Sequence, residues 1–285
     1  MYSAGMPVPA ARSDLVPAAA TTMAGSSHTR HGMIARVFKN KHDISLLQQM
    51  YSYQFGIPAL DDQLGGLRSG ANVLILAPPL SGAERIAYNL SFPAHGEYCV
   101  LLSTDERAAE VSNFFKLNGT ERRSIAIIDA ITKSDLPNVP DTDRMKFISS
   151  PVDLTGISIK MSKLFSGIVD ESLKNPDPGI YPPPIRFCVN SLSTFLMYRK
   201  LEVMYQFLHV ITSKVKKNEW IGFYLLNNES FDAKTISVIK QLMNGVVEVR
   251  EGSEQFELRV VGLGGRMTPW LPYSFDTNGK MVVEG

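Results

Sequence analysis

Two acidic side chains, Asp105 and Glu106, sit together just after the apolar run Tyr98 to Leu102. Carboxylates in such a place can activate water as general bases. They can equally sit as favourable charges at the start of the next helix, and both readings stay open. A second candidate is Ser81, in the turn APPLSG. No His or Asp stands at a spacing that would activate it, so it reads as a turn residue. The histidines His28, His31, His42, His95 and His209 are scattered, with no metal-ligand spacing. Cys99 and Cys188 each lie within a strand-like apolar run and form no CxxC pair. They read as buried, reduced thiols of an intracellular protein.

The elements that must position these groups repeat as strand, turn, helix. Continuous apolar runs at 72–76 (NVLIL), 98–102 (YCVLL), 125–131 (IAIIDAI), 145–148 (MKFI), 185–189 (IRFCV) and 221–226 (IGFYLL) predict strands buried on both faces. Helices are expected at about 83–91, after 102 up to the Asn118-Gly119 stop, at 201–217 and at 232–243. Another follows Asp153, with Ile157, Met161, Leu164, Phe165 and Ile168 on one face. A polar loop is expected at 132–143 and a Pro-rich break at 175–184. The runs 246–250 and 256–261, joined by EGSEQ, predict an antiparallel hairpin at one edge. Alternating strands and helices predict an α/β fold with a mostly parallel sheet covered on both faces. Tyr198, Tyr205 and Phe207 are expected to pack in the core.

Residues 1–50 differ from the rest. They hold eight Ala and three Pro, with five basic and two acidic residues, a local charge of +3. The whole chain carries +1, so the remainder carries −2. This stretch reads as a disordered tail with a short helix at 33–50, followed by one domain over 51–285.

Residues 56–85, GIPALDDQLGGLRSGANVLILAPPLSGAER, resemble the entry to the ATPase core of the RecA superfamily, in its KaiC-like branch, which is common in archaea. Gly56, Ile57, Leu60, Asp61, Leu64, Gly65, Gly66 and Gly70 match that entry element, and Pro78, Pro79, Ser81 and Gly82 match within the P-loop. STDE at 103–106 lies where the family carries acids that activate water. The run ending NSLST at 190–194 is similar to its Walker B segment. SSPVDLTGI at 149–157 and the stretch 246–265 are similar to archaeal KaiC-like proteins. The resemblance implies a RecA-like fold over about 51–275. It also implies a γ-phosphate sensor near Asn227 and Asn228, and a place for Arg266 at a subunit interface.

The departures bear on function. A P-loop cradles phosphate with glycine backbone N–H groups, a Lys and a Mg²⁺-binding Ser or Thr. Here Ala77 and Leu80 replace glycines, Ala83 replaces the Lys and Glu84 the Thr, and Asn190 stands at the Walker B Asp. A carboxylate about 4 Å from a phosphate charge costs about 4 kcal/mol at an effective dielectric near 20. The vestigial loop Ala77 to Arg85 therefore predicts no bound cofactor and no catalytic residue, with Asp105 and Glu106 as remnants. The expected function is a pseudo-ATPase acting as a regulatory or scaffold protein through protein contacts. Two alternatives remain: an atypical ATPase that binds Mg²⁺-ATP through Arg85, and a RecA-like nucleic-acid-binding accessory protein. Balanced charge argues against a nucleic-acid coat, although the basic tail could touch nucleic acid or lipid. No apolar run approaches the roughly 20 residues of a membrane span. The expectation is a cytoplasmic protein with protein partners, a second copy of the chain among them.

Overall fold

The computed structural model describes residues 51–174 and 183–284. The expected tail, its helix at 33–50 and most of the Pro-rich break lie outside the described residues.

The chain enters through β1 (Ser52–Tyr53), α1 (Pro58–Leu64) and β2 (Leu67–Arg68). β1 and β2 pair as a small antiparallel sheet of their own. Asp61 fixes this entry by accepting the N–H groups of Phe55 at 2.6 Å and Gly56 at 3.0 Å. Next come β3 (Asn72–Ala77), α2 (Ala83–Leu90), β4 (Tyr98–Ser103), α3 (Ala108–Leu117) and β5 (Ile125–Asp129). They are followed by α4 (Thr132–Asp135), β6 (Met145–Phe147), α5 (Leu154–Lys174), β7 (Ile185–Val189), α6 (Leu192–Tyr198) and α7 (Leu201–Lys217). The described chain ends with β8 (Ile221–Asn227), α8 (Ala233–Lys240), β9 (Gly245–Glu251), β10 (Phe256–Val261), β11 (Leu271–Phe275) and β12 (Met281–Val283).

Ten strands form one sheet in the order β12-β11-β10-β9-β3-β8-β7-β4-β5-β6. The pairings from β9 across to β6 are all parallel. The alternation of side chains along β3 explains its unbroken apolar run. Val73, Ile75 and Ala77 pack on one face, under α2 and α3. Leu74 and Leu76 pack on the other, with α5, α6, α7 and α8. Each large aliphatic side chain so buried stabilises the fold by roughly 1.5–3 kcal/mol.

Three details differ from expectation. The strand expected at 125–131 stops at Asp129, whose buried carboxylate redirects the chain. It accepts the N–H groups of Ala108 at 2.6 Å and of Ile131 and Thr132 at 2.7 Å each, and the Thr132 hydroxyl at 2.6 Å. Those bonds open α4 inside the expected loop. The C-terminal hairpin, β9 and β10, is not a sheet edge: β9 joins β3 in parallel, and β11 and β12 extend the antiparallel part. Tyr198 does not pack in the core and is 66% exposed, at the end of α6. Phe207 is buried as expected.

Two buried features tie the centre together. Arg186 of β7 forms an ion pair with Glu97, Nε to Oε2 at 2.5 Å, and donates to the carbonyls of Leu90 at 2.9 Å and Gln54 at 2.7 Å. Tyr51 donates to Glu97 Oε1 at 2.7 Å. Such a pair is well supplied with partners, and removing one member would strand a buried charge. Cys99 on β4 and Cys188 on β7 are both buried, on neighbouring strands.

Candidate functional site

In open parallel sheets, sites gather at the carboxyl ends of the strands. Here the turn Pro78-Pro79-Leu80-Ser81-Gly82 follows β3 and leads into α2. Ser81 is buried and donates its hydroxyl to Pro78 O at 2.7 Å, closing the turn on itself. Leu80 holds a left-handed backbone, φ 65°, with its side chain 97% exposed. Gly82 has φ 71°, and a Cβ there would stand 2.5 Å from Phe275 Cε2. Strand β11 covers this side of the turn, with Tyr273 donating to Ser81 O at 2.7 Å. Arg85 is exposed and stacks its guanidinium over the Phe275 ring, 5.7 Å from the centroid. Ala83 is buried and Glu84 half-buried at the first turn of α2.

Behind the turn lies a closed polar network. Asn190, fully buried after β7, accepts the N–H of Thr104 at 2.9 Å. Its amide donates to Tyr88 Oη at 3.2 Å and to Ser103 Oγ at 3.1 Å. Tyr88, from α2, donates in turn to Glu106 Oε2 at 2.5 Å. Burial pushes the Glu106 carboxyl above its ordinary range. The charges of Glu84, Glu110 and Asp105 add to that push, and the Tyr88 hydrogen bond opposes it. Burial likewise raises the Tyr88 hydroxyl, with the Glu106 charge adding to it. Asp105 is exposed and accepts from the Thr194 hydroxyl at the start of α6.

The structure thus brings Asn190, Glu106 and the first turns of α2 together. Tyr88, Tyr273 and Phe275 complete the site, and the sequence reading missed all three. The signal for Tyr88 was a polar-tipped aromatic on the buried face of an amphipathic helix. Asp105 and Glu106 turn toward α6 and α2, and the acid in the first turn of α3 is Glu110. Asn227 accepts the N–H of Glu229 at 2.9 Å, a turn contact. The N–H of Asn228 donates to Ala77 O at 3.2 Å. Arg266 lies at the other end of the sheet and donates to the carbonyls of Gln63 and Leu64, both at 3.3 Å. Among the described residues no group of three or more His, Cys, Asp or Glu could hold a metal ion, and no helix is long and apolar enough to cross a membrane.

A mostly parallel sheet covered on both faces, with a turn-to-helix site at the end of its strand β3, defines a RecA-like α/β fold. A KaiC-like protein from the hyperthermophilic archaeon Pyrococcus horikoshii OT3 shares it, with a TM-score of 0.56 at 12% identity, over 82% of this chain and 99% of that one. So does an uncharacterized protein from Pyrococcus horikoshii solved in complex with an unknown peptide, with a TM-score of 0.60 at 16% identity, over 82% of this chain and 100% of that one. By sequence, the chain belongs to the family of unknown function DUF7504, which matches residues 70–249. No curated protein matches its sequence.

Proposed function

We propose that the chain is a KaiC-like pseudo-ATPase of the RecA superfamily, a cytoplasmic regulatory or scaffold protein that acts through protein contacts. The proposal takes residues 51–285 as one domain carrying a tail. The observation that carries it is the Asn190–Tyr88–Glu106 network behind the turn. At the place of a Mg²⁺-supporting carboxylate, Asn190 instead uses its amide to hold a tyrosine hydroxyl. Glu84, Asp105, Glu106 and Glu110 make the surroundings acidic. Arg85 is engaged with Phe275. A triphosphate entering this site would meet the repulsion of these carboxylates. The neighbour solved with a peptide is in keeping with a protein-binding role.

Calorimetric titration of the purified chain with ATP and Mg²⁺ at near-physiological salt tests the reading. No measurable binding is expected. A dissociation constant in the low micromolar range would overturn it.

A further inference from the structure

Three cationic side chains gather at the opposite end of the sheet. A cleft of about 1070 Å³ opens there, at the amino ends of β3, β8 and β9. It is separated from the turn by the length of β3, roughly 20 Å for six residues. Arg68, Lys216 and Arg266 line it, and all three are exposed. Arg68 and Lys216 have no carboxylate partner among the described residues. The cleft wall is made by the turns at Gly65-Gly66 and Gly262 to Gly265. At Gly65, Gly264 and Gly265 the place of a Cβ is open, whereas at Gly66 the Tyr53 carbonyl fills it, 2.7 Å away. A bare backbone of this kind lets a ligand approach main-chain groups closely.

Glu219 adds a second, independent observation. It lines the same cleft, and it holds a left-handed backbone, φ 56°, although it is not glycine. That backbone closes the C-terminal end of α7, where the Trp220 N–H donates to Val215 O at 3.1 Å. Its Oε2 is shielded and has no hydrogen-bond partner among the described residues. An unsatisfied carboxylate oxygen is costly, and the terminal torsion of Glu turns easily. A donor reaching in from the cleft would relieve it.

We propose that this cleft binds a small phosphate ester that also carries hydroxyl donors. The phosphate would lie against Arg68 and Lys216, where charge-assisted hydrogen bonds are strong. Arg266, already held on the Gln63 and Leu64 carbonyls, would fix the wall of the turn beside it. The hydroxyl would satisfy Glu219. The proposal does not depend on the pseudo-ATPase reading, because no residue of the turn takes part.

The test is calorimetry on the full chain at low salt, with ribose 5-phosphate and inorganic phosphate as probes. Ribose 5-phosphate is expected to bind saturably and more tightly than inorganic phosphate. The double variant Arg68→Ser, Lys216→Ser should weaken both by about tenfold or more, and should melt as the wild type does, since both side chains are exposed. Glu219→Gln should narrow the preference for the ester, because it removes the hydroxyl's acceptor while relieving a repulsion that both phosphates share, so inorganic phosphate should bind as well as before or better. Glu84→Gln, at the turn, should alter neither. No binding of either probe at millimolar concentration would overturn the proposal. So would equal binding by the double variant, or tighter binding by Glu84→Gln, which would return the anion to the turn. If the probes fail to bind and the double variant instead changes the sedimentation coefficient, the cleft belongs to a second copy of the chain.

Discussion

Tyr88 and Glu106 share a 2.5 Å hydrogen bond across the space between α2 and the end of β4. The tyrosine hydroxyl both donates to this carboxylate and accepts from the Asn190 amide. One side chain therefore joins the helix after the turn to the ends of the neighbouring strands β4 and β7. Its ring rests on Phe114 and Phe115, at centroid distances of 5.5 and 6.1 Å.

Replacing Tyr88 by Phe keeps that ring packing and removes the hydroxyl alone. Asn190 then loses an acceptor and Glu106 its donor, both in buried surroundings. A loss of about 1–3 kcal/mol is expected in urea unfolding. A change below about 0.5 kcal/mol would mean that water replaces the hydroxyl and the network is loose.

Glu106→Gln should raise stability, and more so at high pH. Gln still accepts from Tyr88 but carries no charge toward Glu84, Glu110 and Asp105. The folded protein holds the Glu106 proton above the ordinary range. Wild-type stability from this group is therefore present below the unfolded carboxyl value and falls as pH rises through the folded value. Thermal melts at about pH 4 and about pH 8 should show the gain from Gln at the higher pH. An equal gain at both would remove the electrostatic explanation.

Leu80→Gly tests the strain in the turn. A left-handed Leu costs roughly 1–2 kcal/mol, while glycine adds about 0.5–1 kcal/mol of unfolded-state entropy. The side chain is 97% exposed, so little burial is lost. Stability should rise by up to about 1 kcal/mol. A fall of that size would show that Leu80 makes contacts that outweigh its backbone strain.

Asn190→Asp should be harmful alone. An Asp has no amide to donate to Tyr88 and Ser103, and Tyr88 already gives its proton to Glu106. The Asp would keep the Thr104 N–H on one oxygen but bury a charge with no cation beside it, at a cost of about 3–5 kcal/mol. Burial would raise its folded pKa, so the damage should grow as pH rises. Ala83→Lys and Glu84→Thr added to it should restore both stability and measurable Mg²⁺-ATP binding, most clearly with Leu80→Gly. If all of these variants fold and none binds ATP, the turn is not a decayed phosphate cradle.

Much of this was legible in the sequence because period and burial agree. Val73 to Leu76 is apolar at every position, as a strand covered on both faces requires. The helix after Asp153 was legible from its single apolar face, and the Asp153 carboxylate accepts the N–H of Gly156 at 2.8 Å at its start. What stayed hidden depends on partners distant in the chain. Strand β11 contains Pro272 and β12 has three residues, so neither carries a strand pattern of its own. They form because β10 offers an open edge and Asn89 of α2 accepts the Met281 N–H at 3.0 Å. The end of β5 was misjudged for the same kind of reason. Ala130 and Ile131 look like strand residues, and only the Asp129 carboxylate reaching Ala108 shows why the strand has ended. The role of Tyr88 needed three segments in place at once.

The two thiols at the middle of the sheet give the molecule an internal clock. Burial pushes Cys188 up to about 12 and Cys99 well above its ordinary value, so neither forms the thiolate that alkylating reagents attack. Both side chains pack on the same face of neighbouring strands, in register with Leu101 opposite Cys188. Exposing one means parting β4 from β7 or lifting α2, and either event uncovers the other. Under native conditions, slow labelling should therefore add two adducts to a molecule or none. Its rate then measures how often the central strands come apart.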